Sequence, residues 1–175
     1  MRSRVSLLAL ALALLPATLG AQERLPRITV LGTGGTIAGQ SATRTRFQNY
    51  RAGSLQITEM VDFLRPQIDS VAEVTAIQFG NKASGGYTIA DYYDLTMAIE
   101  KALETADGVV VTTGTDTQEE FVYWAELTVR SQKPVVFTGS MRPWTVIGTD
   151  AHRTCSTRSC WPRAARRRAS GRSTS

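Results

Sequence analysis

The sequence predicts an α/β fold: a parallel sheet with helices on both faces, in a three-layer domain. Three observations predict it. Two apolar runs rich in valine, G-V-V-V-T (108–112) and P-V-V-F-T (134–138), read as buried strands. Stretches of helical period lie before and between them, at 89–106 and 117–130. Glycine and small hydroxyl residues follow nearly every strand, at the sheet edge where such folds bind ligands.

Taken in order, the 175 residues open on M-R-S-R, an apolar run V-S-L-L-A-L-A-L-A-L-L, Pro16 and a small-residue stretch ending at Ala21. Residues 1–21 therefore read as a secretory leader, too short for a membrane-spanning helix. The expected location is periplasmic or secreted, with no membrane contact after cleavage. R-I-T-V-L (27–31) reads as a strand, and Gly39 to Leu55 is polar and aperiodic. Residues 58–64 form a short helical pattern closed by Arg65-Pro66. V-A-E-V-T-A-I-Q-F (71–79) is rich in β-formers, Gly80 ends it, and N-K-A-S-G-G-Y is a loop. Thr88 and Asp91 make a capping signature ahead of 89–106. There Tyr92, Leu95, Ile99 and Leu103 recur at helical spacing, with Ala98 and Ala102 among them. The helix at 117–130 is expected to turn Phe121, Trp124, Leu127 and Val129 inward. Residues 22–150 form the domain, and 151–175 a basic tail.

The net charge of +5 belongs to that tail, which holds seven arginines and no acid and leaves 13 basic against 15 acidic residues elsewhere. A basic body would point to nucleic acid; this one does not, and no nucleic-acid partner is expected. Cys155, Cys160 and His152 lie in the tail as well. Two cysteines define no disulfide framework, and C-x4-C with one histidine makes a poor metal site. No metal and no cofactor are expected. Catalysis in the body falls to Thr, Ser, Tyr, Asp, Glu or Lys.

The glycines at 32–39 do not fit a dinucleotide fingerprint, because its sixth position is Ile37 and no helical period follows Gly39; there is no Walker lysine either. A nucleophilic hydroxyl fits better. Such a hydroxyl needs a neighbour to take its proton. Tyr50, Asp116 and Lys82 are candidates, and Thr115 beside Asp116 is a second candidate hydroxyl. Adjacent glycines would let a substrate approach backbone N–H donors. A threonine beside glycine at a strand end is most often a turn or cap. Several such loops at one sheet edge point to a shared site.

Two segments, T-G-G-T-I-A-G (33–39) and T-G-T-D-T-x-E-E (113–120), each after a strand, together resemble the bacterial asparaginase family. K-P-V-V-F-T-G-S-M-R-P (133–143) resembles a third block, and the likeness runs from about Leu25 to Asp150. With the leader, the chain is similar to the secreted type II group. The resemblance implies hydrolysis of L-asparagine to L-aspartate and ammonia, with L-glutamine as the alternative substrate, and without cofactor or metal. Thr36 matches the nucleophile, Tyr50 the lid tyrosine that assists it, and Thr115 a second threonine paired with a lysine. Asp116 matches the carboxylate that grips the substrate's amino group, and Ser140 a residue near its amide. Gly35 and Gly114 flank the substrate. Thr33 is expected to be turn structure. Full-length members are homotetramers.

The family usually carries a Ser-Gln or similar pair after the second strand, contacting the substrate carboxylate. Asn81-Lys82 stands there in this chain, with Ser84 as the alternative. The family's lysine partner of Thr115 lies beyond position 150, and its smaller C-terminal domain is missing here. The resemblance thus implies an incomplete N-terminal asparaginase domain, inactive as written or at most able to bind asparagine or aspartate. After Asp150 the family expects proline and a helix beginning N-L-x-x-A, whereas this chain reads A-H-R-T-C-S-T-R-S-C-W-P. Read one base out of frame, the codons from His152 allow P-N-L-F-N-A-I-L-L-A-A-S-G. Cys160 and Trp161 force the last leucine of that run and the alanine after it. The tail is therefore expected to be frameshifted, or failing that a disordered basic tail. Under the frameshift, His152, Cys155, Cys160 and the seven arginines carry no selected function.

Overall fold

The computed structural model describes residues 24–156. The leader and residues 157–175 lie outside the described residues. Strands β1 (Arg27–Gly34), β4 (Glu73–Lys82), β5 (Gly108–Thr112) and β6 (Val135–Thr138) form one sheet in the order β4-β1-β5-β6, every pair parallel. Between β1 and β4 lie the two-residue strands β2 (Gln40–Ser41) and β3 (Tyr50–Arg51), paired antiparallel, and helix α1 (Ile57–Phe63). Helix α2 (Ile89–Thr105) precedes β5, α3 (Gln118–Thr128) precedes β6, and α4 (Ala151–Ser156) ends the described chain.

Alternation along the central strands builds the three layers. Ile28 and Val30 of β1 and Val110 of β5 pack with Met60, Val61 and Leu64 on the α1 side. Leu31, Val109 and Val111 pack on the opposite face with Leu95, Ile99 and Leu103 of α2 and Phe121 of α3. All five residues of β5 are buried, as befits a strand covered on both faces, while β4 and β6 are half-buried edges. The α2 helix starts where its capping signature predicts. The Thr88 amide donates to Asp91 Oδ2 at 2.7 Å, and the Asp91 amide returns to Thr88 Oγ1.

Four sequence expectations change. The strand after Ala72 does not stop at Gly80 but runs to Lys82, so Asn81 and Lys82 belong to the strand end rather than a free loop. Leu127 does not face the core; it is 67% exposed, and α3 is anchored by Phe121 and Ala125 instead. The aperiodic stretch from Gly39 contains the β2–β3 pair. The first residues of the basic tail form α4, whose Ala151 and Cys155 enter the α1-side core.

The sheet's order places the site. From β1 the chain moves to β4 on one side, then returns across β1 to β5 on the other. The connections therefore diverge between the carboxyl ends of β1 and β5, the crevice where open α/β sheets bind ligands.

Candidate active site

The loops after β1 and β5 meet through two glycines. Gly34 and Gly35 have φ of 97° and 73°, in the left-handed region that glycine alone tolerates well. A Cβ on Gly35 would lie 2.3 Å from Gly114 Cα, and one on Gly114 would lie 2.0 Å from Ser84 Oγ. Three loops thus interlock at one point, with backbone touching backbone. Thr36 and Thr115 are the residues immediately beyond the contact on its two sides. Gly35's amide is engaged, donating to the Lys82 carbonyl at 2.9 Å, and is not a free donor for a bound group.

Thr33 is fully buried and donates its hydroxyl to the Thr112 carbonyl at 3.0 Å, tying β1 to β5. Thr36 emerges from the crevice half-buried, and its Oγ1 shares a 2.8 Å hydrogen bond with the Tyr50 hydroxyl. The β2–β3 pair brings Tyr50 back. Ser41 lies opposite Tyr50, and Ser41's hydroxyl donates to the Arg46 carbonyl inside the turn. Gly53 then donates its amide to the Gly35 carbonyl at 3.0 Å and fits against Asn81 only because it lacks a side chain.

Thr115 is half-buried beside Gly139, whose added Cβ would sit 3.1 Å from Thr115 Cγ2. Asp116 is exposed and forms no ion pair with a described residue, which leaves its carboxylate available to a cationic ligand. Ser84 is buried against Gly114, inside the crevice. Three other candidates are turned to local tasks. Lys82 Nζ pairs with Asp91 at 2.7 Å and lies 5.0 Å over the Tyr87 ring. Its ammonium, with the Thr88 amide and hydroxyl, holds the Asp91 carboxyl down at about 2. Asn81 Oδ1 accepts from Gln78 Nε2, and Ser140 donates to the Arg142 carbonyl.

Two residues that sequence reasoning missed shape the site. Gln78 accepts the Ile57 amide at 2.7 Å and donates to the Gly32 carbonyl at 3.1 Å, joining β4, α1 and β1. Tyr87 donates its hydroxyl to the Thr33 carbonyl. The only signals were a polar residue inside a strand and an aromatic in a glycine-rich loop. A groove of about 510 Å³ runs along β6 and α3, past Val122, Val129 and Phe137, and includes no candidate site residue. Among the described residues, no three His, Cys, Asp or Glu side chains gather where a metal ion could be held, and no helix is long and apolar enough to cross a membrane.

Chemically, the crevice offers one hydroxyl in direct contact with a phenol, a second hydroxyl across a backbone contact, and at the rim a carboxylate that no described cation pairs. Residues 27–160 match the family model described as "Asparaginase, N-terminal". L-asparaginase 2 of Bacillus subtilis is 39% identical over 136 residues, covering 77% of this chain and 36% of that protein. Glutaminase-asparaginase of Pseudomonas aeruginosa is 34% identical over 131 residues, covering 74% of this chain and 36% of its own length. A crystal structure of a probable cytoplasmic L-asparaginase from Campylobacter jejuni superposes with a TM-score of 0.72 at 39% identity, covering 75% of this chain and 40% of that one. The chain spans little more than a third of the length of the curated relatives it matches.

Proposed function

The chain belongs to the asparaginase family, and from that membership we propose that its crevice is built for hydrolysis of L-asparagine to L-aspartate and ammonia. The observation that carries the proposal is the 2.8 Å contact between Thr36 and Tyr50 at the sheet's switch point. It lies within the 2.6–3.2 Å reach expected of a nucleophile and its proton acceptor. In this reading Thr36 Oγ1 attacks the side-chain amide carbon while its proton passes toward Tyr50. Collapse of the tetrahedral adduct, with that proton handed on to the leaving nitrogen, expels ammonia and leaves an acyl-enzyme, which water hydrolyses to aspartate and free Thr36. Asp116 holds the substrate's ammonium, Ser84 lies where its carboxylate would be bound, and Thr115 is the second hydroxyl. L-Glutamine is the alternative substrate, favoured by the likeness to a protein named glutaminase-asparaginase.

We further propose that the chain as written turns over little or nothing. Its three lysines are Lys82, Lys101 and Lys133. Lys82 is paired with Asp91, Lys133 donates to the carbonyls of Leu103 and Ala106 at the end of α2, and Lys101 is exposed on α2. None of these roles leaves a lysine to activate Thr115. Loss of one member of a coupled catalytic set commonly costs orders of magnitude in rate. The proposal includes the frameshift near codon 152 and export of the protein to the periplasm or medium.

Purified 22–175 incubated with L-asparagine should release no ammonia above a Thr36→Ala control, while calorimetry should still register aspartate. Release that Thr36→Ala abolishes would refute inactivity, and absence of binding would refute the assembled site. Sequencing the gene across codons 145–185 tests the frameshift: codons incompatible with P-N-L-F-N-A in the shifted frame exclude it. Amino-terminal sequencing of the exported protein should begin after Ala21.

A further inference from the structure

The structure assigns to Tyr87 the role of a positioning residue, a strut that sets the Thr36 loop by donating its hydroxyl to the Thr33 carbonyl. This role rests on the reading of Thr36 as the reacting hydroxyl. Thr33 is the fixed point of that loop, with no exposed surface and its own hydroxyl spent on Thr112. Both of its polar arms are therefore tied, one to β5 and one to Tyr87. The two left-handed glycines follow directly, so the direction in which Thr36 leaves the sheet is inherited from the Thr33 peptide.

The strut is itself held on several sides. The Tyr87 ring stacks near Phe79, with centroids 6.5 Å apart, and meets Phe121 edge-on at 5.3 Å. Lys82 Nζ caps the ring and is fixed by Asp91. Gly80 makes room for the hydroxyl, because a Cβ there would lie 2.6 Å from it. Gly80 has ordinary negative-φ backbone, so this approach, rather than conformation, accounts for glycine at a position inside β4. Burial raises the Tyr87 phenol above its usual value, against the opposing pull of the Lys82 backbone, so the hydroxyl remains a donor through the neutral range.

The geometry supplies its own double-mutant cycle. Tyr87→Phe keeps the ring contacts and removes only the donor. Gly80→Ala pushes the hydroxyl off Thr33 and should reproduce that effect. In the Tyr87→Phe background there is no hydroxyl left to push, so Gly80→Ala should add little. Ile68→Val, in the core on the other face of the sheet, controls for general loss of stability. The readouts on the full chain are amide exchange at Gly34–Thr36 relative to β5, and the ring-carbon NMR resonance of Tyr50, which senses its bond to Thr36.

Tyr87→Phe and Gly80→Ala should each speed exchange at Gly34–Thr36 by about tenfold and move the Tyr50 resonance, with β5 unchanged. Ile68→Val, at a similar fall in melting temperature, should do neither. Exchange or resonance unaltered in Tyr87→Phe, equal effects in Ile68→Val, or full additivity in the double variant would each overturn the assignment. Should Tyr87→Phe fail to fold, Gly80→Ala alone decides by the same readouts. Neither readout requires turnover, so failure of the strut and failure of the proposed chemistry give different results.

Discussion

Thr33 spends its hydroxyl on the Thr112 carbonyl, while Thr36, three residues on, shares a hydrogen bond with the Tyr50 hydroxyl. That division was legible from the sequence only as a question, since a threonine beside glycine at a strand end is most often a turn or cap. Tyr50 was legible as one of three candidate partners by elimination, and only the resemblance singled it out, because nothing periodic marks the segment that carries it. Lys82 shows the opposite failure. A lysine in a strand-end loop looked available, but the capping carboxylate of Asp91 and the Tyr87 ring already hold it. At this scale the glycines give the sharpest expectation. Gly35→Ala meets both a left-handed φ and the Gly114 backbone, and should cost at least about 2 kcal/mol. Gly85→Ala meets nothing within 4 Å and should stay within about 0.5 kcal/mol. Urea midpoints of the two variants check the contrast.

Helix α2 was readable because three signals agree on it: a capping pair, an apolar period and a valine-rich strand after it. Helix α3 was readable as a helix and in most of its facing, with Phe121 buried and Val129 packed beside it, but Leu127 is exposed. Trp124 donates its indole N–H to Thr96 Oγ1 at 3.1 Å and so joins α3 to α2. Helix α4 was not readable at all, since its burial depends on a partner far off in sequence. His152 wedges between Phe63, at 4.7 Å between centroids, and Trp144, at 4.4 Å. Burial pushes its imidazole below the ordinary value of 6.5, against an opposing hydrogen bond to the Trp144 backbone. With the folded value lowered, the unfolded state binds the proton first. The stability this adds is therefore full above pH 6.5 and is lost as pH falls toward the lowered folded value. Trp144 fluorescence should report α4 loosening on mild acidification. His152→Phe, which keeps a ring in the wedge, should flatten the profile over the same range; an unchanged profile would show that other groups drive it.

Across the whole molecule, sheet direction and layering followed from composition and period, whereas strand order did not. Order lies in which strands pair, and those pairings join residues far apart in sequence that a linear pattern does not connect. The order leaves β6 at an edge, half-buried, with Val122, Tyr123 and Leu127 exposed on the neighbouring helix. An apolar edge of this kind invites pairing with another chain. Sedimentation should show concentration-dependent self-association of 22–175, and Leu127→Lys should weaken it without lowering the melting temperature. A monomer at all concentrations would contradict this.

The Gly35–Gly114 contact has a consequence for selectivity. No rotamer stands between the two loops, so the gap between Thr36 and Thr115 is a fixed dimension of the backbone, like the width of a jaw cast in one piece. Mutation cannot open it by trimming a side chain and cannot close it by lengthening one. On the proposed reading, discrimination between amides one methylene apart would be adjusted around that gap, at Ser84 inside the crevice and Asp116 at its rim. The two loops can diverge in sequence around the site, but only while they keep both glycines.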